Sequence, residues 1–409
     1  MNELSITPAT PSAPRPARLV SVDALRGFDM FWIIGGEQVA HALEQTSGGP
    51  LISTLATQLQ HVEWAGFHFY DAIFPLFLFL VGVAIVLSLN PAKTADGRRP
   101  ALMRILRRSA LLFGIGVLYY GGIARPWPDV ALSGVLPRIA LCYLSAATLH
   151  LFLPRKGIIM AALACLMGYW ALLTFAPFPD VSLKHPTVGK KGPPADARTP
   201  AQLFAGAATT HGVFEEGRNF THYVDATMLP GRKRNFYYTN EGLLSTIPAV
   251  ATTLFGIMAG WVLTTAGWSG YRKAAWLLGA GAVGVVLGLL WGLDFPIIKR
   301  IWTSSFCLLA AGVSSLFLGV FYLVIDVWRC QRWATPFLWI GANALTAYLL
   351  VSVVNFEELA ARFVGGDVRV FLDTHLASGA GLLTIALVGL LLPVLLLRFL
   401  YQRKIFIRL

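Results

Sequence analysis

Ten apolar runs, each near the roughly 20 residues that a bilayer demands, are separated by short connections rich in Lys and Arg. No other feature constrains this chain so strongly. Apolar surface on that scale is solvated by lipid, and in lipid every backbone N–H and C=O has to be satisfied inside the spanning element itself. The runs lie at about 19–43, 66–89, 103–124, 132–153, 157–177, 243–265, 273–293, 303–325, 335–354 and 375–399. Composition agrees: 13% of residues are charged, against roughly 25% in soluble domains. The expected fold is therefore an all-α polytopic membrane protein of about ten transmembrane helices.

Charge then sets the orientation. With ten spans both termini share a side. If that side is the cytoplasm, the inner connections and tails hold eighteen basic residues, six of them between Lys93 and Arg108, whereas the short outer connections hold five. Basic residues collect on the cytoplasmic side, so both termini are expected inside, and the net charge of +12 needs no nucleic-acid partner. Residues 1–17 carry no apolar core and read as a disordered cytoplasmic tail. Residues 18–409 read as one transmembrane domain, with a long outward-facing loop at 178–242. None of the four cysteines lies in that loop, so no disulfide framework is expected. No zinc-ligand pair, P-loop or serine elbow appears, so no metal is expected.

The densest chemistry lies in His61-Val-Glu-Trp-Ala-Gly-Phe-His-Phe-Tyr-Asp71, directly before the apolar run that starts at Ala72. An interfacial anchor needs only an aromatic ring or a long cation. Here His61, Glu63 and Asp71 gather at one helix entrance beside Trp64 and Tyr70, a set suited to moving protons at the membrane surface. On its own the pattern also fits an interfacial hydrogen-bonding histidine, or a proton-coupled solute transporter in which His61, Glu37 and Asp71 would carry the protons. The loop begins with a proline- and glycine-rich half (Pro177, Pro179, Pro186, Gly189, Gly192, Pro193, Pro194, Pro200) too broken for regular structure. Its second half, Glu215–Asp225, is rich in hydrogen-bonding and aromatic groups and reads as a lid over an outward-facing site, or as a spacer.

Seven signatures in order resemble the heparan-α-glucosaminide N-acetyltransferase family, especially its bacterial members, over Arg18 to Leu409. They are Arg18–Gly27; His61-x-x-Trp64-x-Gly66 with Asp71-x-Ile-Phe-Pro; Gly134-Val-Leu-Pro-Arg138; Glu241-Gly-Leu-Leu-Ser; Pro296-Ile-Ile-Lys299-x-Ile-Trp302; Gly341-Ala-Asn343; and Tyr401-Gln-Arg-Lys-Ile-Phe406. The resemblance implies a multi-pass acetyltransferase of the cell inner membrane, and a homodimer. Cytoplasmic acetyl-CoA would be its co-substrate and an amino sugar on the periplasmic side its acceptor.

His61 matches the family's catalytic histidine, acting as a base or as a transiently acetylated nucleophile. Asp71 would orient its ring. Glu37 stands where animal members carry Asn, which makes it a candidate second base or acceptor ligand and leaves the acceptor open. For the coenzyme the candidates are Arg26, Arg138, Asn343, Lys299 and Trp302, each with a plainer role available. Arg26 has Asp23 three residues away to neutralise, Arg138 and Asn343 are suited to joining helices, and Lys299 with Trp302 is a common interfacial anchor. For the acceptor the candidates are Trp64, Glu241, Asp225 and Arg232. A sugar O-acyltransferase is an alternative chemistry on the same residues.

Overall fold

The structure, a computed structural model, describes residues 19–46, 49–89, 95–124, 126–184 and 198–407. The expected tail at 1–17 lies outside them. Sixteen α-helices follow one another among the described residues: α1 Val20–Glu44, α2 Pro50–Gln58, α3 Ile73–Leu89, α4 Ala95–Tyr119, α5 Val135–Phe152, α6 Arg155–Phe175, α7 Pro200–Phe204, α8 Phe220–Met228, α9 Thr246–Thr264, α10 Gly270–Trp291, α11 Ser304–Phe321, α12 Thr335–Gly341, α13 Ala344–Val353, α14 Phe356–Val364, α15 Asp367–His375 and α16 Ala380–Gln402.

Among the described residues, seven helices are long and apolar enough to cross a membrane. They are α3 (with the 3₁₀ turn Phe69–Ala72 before it), α5, α6, α9, α10, α11 (with its π-helical extension to Val327) and α16. The count is eight if the segments Arg332–Gly341 and Ala344–Val353, bent by 66° to each other, form one broken span. By this criterion the spans are fewer than the expected ten. The runs at 19–43 and 103–124 are helical, as α1 and α4, but both are too polar to qualify on composition. α1 carries Asp23, Arg26, Asp29 and Glu37, and α4 carries five arginines.

Burial separates centre from periphery. In the most apolar window 67% of α3 and α9 is buried, against 22% of α10, so α3 and α9 form the axis while α10 shows most of its surface outward. Their apolar character is not patterned into faces, because lipid and protein interior accept the same side chains. Close approach decides the pairing instead. A Cβ on Gly82 would collide with the Thr253 carbonyl, and one on Gly256 with the Phe79 carbonyl, so α3 and α9 pack backbone to backbone. Gly27 of α1 and Gly341 of α12 do the same against Phe337 and Asp23.

Between α6 and α9 the chain builds a small cap. Most of the proline- and glycine-rich half, residues 185–197, lies outside the described residues; at its described start Phe178–Pro179 (β1) pairs antiparallel with Thr209–Thr210 (β2). Phe214–Glu215 (β3) pairs with Arg218–Asn219 (β4), and α8 follows, capped by the Asn219 side chain. Tyr169 Oη lies 3.0 Å from Thr221 Oγ1, holding α8 on α6. Phe214, Phe220 and Trp64 pack on the buried Tyr169, Leu173, Phe295, Ile298 and Ile301. The cap thus sits against the segment that bears His61.

Candidate active site

Most of the segment between α2 and α3 has no regular structure, and Asp71 supplies the organisation it lacks. Its carboxylate is buried and saturated. Oδ2 accepts the N–H groups of Val62 at 3.3 Å and His68 at 3.1 Å, while Oδ1 lies 2.9 Å from His61 Nδ1. His68 secures the same turn, accepting the Asp71 N–H at 3.0 Å on its carbonyl and donating from Nδ1 to the Gln60 carbonyl at 3.1 Å. Gly66, at φ +129°, donates its N–H to the Ile297 carbonyl at 2.9 Å, which docks this segment on the turn before α11.

That turn delivers Lys299. Its Nζ stands 3.3 Å from Asp71 Oδ1, 2.9 Å from His61 Nδ1 and 3.5 Å from His61 Nε2. A carboxylate can only accept, so Nδ1–H and the ammonium both donate to Asp71, which leaves Nε2 unprotonated, its lone pair 3.5 Å from the same ammonium. Partial burial lowers the His61 pKa, and the Lys299 cation lowers it further. The bond to Asp71, the Asp71 charge and the charge of Glu37 act against them. Burial likewise lowers the Lys299 pKa, with Asp71 and Glu241 opposing. The result is a neutral imidazole, half exposed, with a cation beside it. Tyr70 covers one face of the ring at a centroid distance of 4.7 Å and donates its hydroxyl to the Trp32 carbonyl at 3.4 Å.

The turn itself is held from behind. Trp302 is fully buried and sits in the left-handed region at φ +53°. Its N–H reaches the Lys299 carbonyl at 3.0 Å, its indole donates to Thr252 Oγ1 at 3.2 Å, and its ring meets Phe74 edge-on at 5.2 Å. The Arg138 guanidinium lies 5.1 Å from that ring and donates to the carbonyls of Asn240 and Gly242 and to Ser245 Oγ. Asp225 takes the N–H of Leu243 at 2.9 Å and of Thr239 at 3.5 Å. Burial raises its pKa to about 6. Arg138, Trp302 and Asp225 therefore fix the stretch around Glu241 and the turn bearing Lys299.

The coenzyme and acceptor candidates divide accordingly. A cavity of about 520 Å³ runs between α1, α3, α5 and the α12–α13 bend. Arg26 and Arg108 line it among polar groups, and Phe74, Phe77, Leu80 and Tyr143 supply part of its apolar wall. Arg26 also pairs with Asp23 at 2.8 Å. Arg138, Lys299, Trp302 and Asn343 are not among the residues that line it. Asn343 spends its amide on the chain end, donating to the Ile405 carbonyl at 3.0 Å and accepting the Ile407 N–H at 3.2 Å. Trp64 donates its indole N–H to the Phe214 carbonyl at 2.7 Å. Arg232 is exposed, and its backbone N–H bonds the Val130 carbonyl at 3.0 Å.

Two residues of this region are given no site role by the sequence pattern. Tyr70 looks like an interfacial aromatic, though its place immediately before Asp71 is a usable sign. Asp29 is fully buried in α1 with neither carboxylate oxygen hydrogen-bonded among the described residues. An acidic residue inside the otherwise apolar stretch from Phe28 to Ile34 is the available signal.

Comparison with known proteins bears on the same region. The family model described as heparan-alpha-glucosaminide N-acetyltransferase, catalytic, matches residues 18–185, which include His61, Asp71, Glu37 and Arg138. The mouse (Mus musculus) heparan-alpha-glucosaminide N-acetyltransferase is 27% identical over 333 residues, covering 71% of this chain and 48% of that protein. The human (Homo sapiens) protein of the same name is 25% identical over 378 residues, covering 82% of this chain and 52% of its own length. The chain thus spans about half the length of these relatives. The matched region holds the ordered His61–Asp71 pair, and over it the chain is similar to the heparan-alpha-glucosaminide N-acetyltransferases.

Proposed function

We propose that this protein is a transmembrane acetyltransferase that moves an acetyl group from acetyl-CoA to an amino sugar on the opposite side of the membrane. The observation that carries the reading is His61, with Nδ1 committed to Asp71, Nε2 unprotonated, and the Lys299 cation 3.5 Å from that nitrogen. The cavity at Arg26 and Arg108 supports the donor side. Two guanidiniums suit a phosphorylated nucleotide, and the apolar wall suits the thin pantetheine arm. Asp23, Arg26, Met30 and Ile33 of α1 line that cavity, and Glu37 continues the same helical stripe toward His61.

In this reading α1 and α4 also cross the membrane, which gives ten spans with both ends in the cytoplasm of a bacterial inner membrane. The thioester carbonyl lies beside His61. Nε2 takes the proton of the sugar amine as its nitrogen bonds to the carbonyl carbon, or Nε2 itself forms that bond first and passes the acetyl group on. In the first route the C–S bond then breaks and CoA leaves as the thiol, carrying away the proton held on the imidazole. In the second the C–S bond breaks as Nε2 is acetylated and CoA leaves as thiolate; the amine then attacks the acetyl carbon, the C–Nε2 bond breaks, and the amine proton goes to the thiolate. Lys299 stabilises the oxygen that becomes negative in between, and Asp71 stabilises the imidazolium. Formation of an amide from a thioester runs downhill, so no ion gradient is needed.

The test is transfer of radiolabel from acetyl-CoA to glucosamine by purified protein, alongside His61→Ala. Labelled sugar from the wild type, with a loss of at least about a hundredfold in the variant, is expected for removal of a general base. Normal transfer by correctly folded His61→Ala would sink the proposal.

A further inference from the structure

A second, more open groove of about 680 Å³ lies between the His61 segment and the cap. Glu63, Trp64, Lys184, Pro296 and the backbone-rich stretch Gly212–Glu216 line it. Its charges are mostly spent on one another. Glu216 is bridged by Lys184 at 2.9 Å and by Arg300 at 2.7 Å, and Glu215 by Arg218 at 3.2 Å. Glu63 differs: it is exposed to the groove, and no described residue pairs with it. Glu63 thus presents a carboxylate with no counter-charge among the described residues, two residues from His61. The bond from the Trp64 indole to the Phe214 carbonyl at 2.7 Å ties the groove's two walls together, so the groove is built as a unit.

A single sugar held at His61 needs no such annex. We infer that the groove holds the next sugar of an oligomeric acceptor, and that Glu63 selects a unit bearing an amine or hydroxyls over a sulfated one. This rests on the acetyltransferase reading above. Glu63 accepts hydrogen bonds from ammonium or hydroxyl groups and repels sulfate, so the acceptor class is a basic or neutral amino-sugar oligomer.

The experiment compares glucosamine, a β-linked glucosamine tetramer and an N-desulfated, O-sulfated heparin tetramer as acceptors for the wild type and for Glu63→Lys. Binding of the same three sugars without acetyl-CoA is measured by calorimetry. For the wild type, kcat/KM for the glucosamine tetramer should exceed that for the monomer about tenfold, the scale of one charge-assisted hydrogen bond in a wet groove, and should exceed that for the sulfated tetramer by as much again. Glu63→Lys should reverse the order of the two tetramers in both turnover and binding. Equal kcat/KM for monomer and tetramer, or an unchanged order in Glu63→Lys, overturns the groove while leaving acetyl transfer standing. Selective binding that Glu63→Lys reverses, with no transfer to any acceptor, supports the groove and removes the acetyltransferase reading instead.

Discussion

Replacing Asp71 with Asn keeps the shape of the site and removes one charge, and the hydrogen bonds fix how the new amide must sit. Oδ2 receives two backbone N–H groups, from Val62 and His68. If the amide NH₂ took that place, both donors would lose their acceptor, at about 1–3 kcal/mol each. The NH₂ therefore turns toward the Oδ1 position, where it faces His61 Nδ1 and the Lys299 ammonium. An NH₂ there donates to Nδ1, which moves the imidazole proton to Nε2. That is the atom left free to act on substrate, and it no longer has a lone pair. The penalty is the loss of base catalysis, about 10²–10⁴ in rate, or roughly 3–5 kcal/mol of barrier at about 1.36 kcal/mol per decade. Serine proteases obey the same tautomer logic when the aspartate of their catalytic triad is replaced by asparagine. Single-turnover acetyl transfer at saturating acetyl-CoA and acceptor measures the effect directly. Asp71→Asn should lower kcat by at least about a hundredfold, with melting temperature nearly unchanged and KM for acetyl-CoA within about threefold. A kcat above a third of the wild-type value would refute the assignment of Nδ1 as the donor to Asp71.

Lys299→Met removes a cation that lowers the His61 pKa. The proton then binds more tightly, so the acid limb of the pH–rate profile should move to higher pH while kcat at its optimum falls through loss of the neighbouring charge. A limb that stays in place or moves to lower pH would contradict this. In the cap, Asp225 is raised to about 6 and the buried His222 is lowered to about 3. For Asp225 the folded state binds more protons between its unfolded value, about 4, and 6, so stability falls as pH rises through that window. For His222 the unfolded state binds more protons between 3 and about 6.5, so stability rises with pH. The two slopes oppose each other between about pH 4 and 6. Asp225→Asn should therefore replace the wild type's nearly flat region with a melting temperature that falls steadily from about pH 6.5 toward 4, read by differential scanning fluorimetry in detergent.

The parts of this molecule that can be read from sequence are those whose physics is local. Apolar length locates the spans, because a bilayer imposes the same requirement on each. It falters at α1 and α4, where charges needed for a buried stripe and for the basic end lower the mean hydropathy below that of a simple span. It does not reveal the 66° break after Gly341, where that glycine packs against the Asp23 carbonyl of α1. His61 and Asp71 are legible as a pair because both stand at one helix entrance. Lys299 is visible as part of a motif, but 238 positions separate it from His61, and nothing in its neighbours announces that it meets the imidazole.

The plainer roles prevail where the bonds a side chain makes are found inside the fold. Arg138 has three acceptors from Asn240 to Ser245 and an aromatic face beneath it, and a guanidinium so engaged is a strut. Asn343 closes both ends of its amide on the chain terminus, and Trp302 has its indole N–H taken by Thr252. A residue type alone cannot separate these uses from ligand binding, because each offers the same donors either way. What separates them is whether acceptors arrive from elsewhere in the chain. By that criterion, among the described residues of the His61 segment, His61 Nε2 and Glu63 are the groups placed to act on something outside the protein. Asp71, Arg138 and Trp302 direct the bonds they make to holding that segment and the Lys299 turn in register. The division explains why so many polar residues cluster around a single imidazole: most of them fix its position, and few are left to meet substrate.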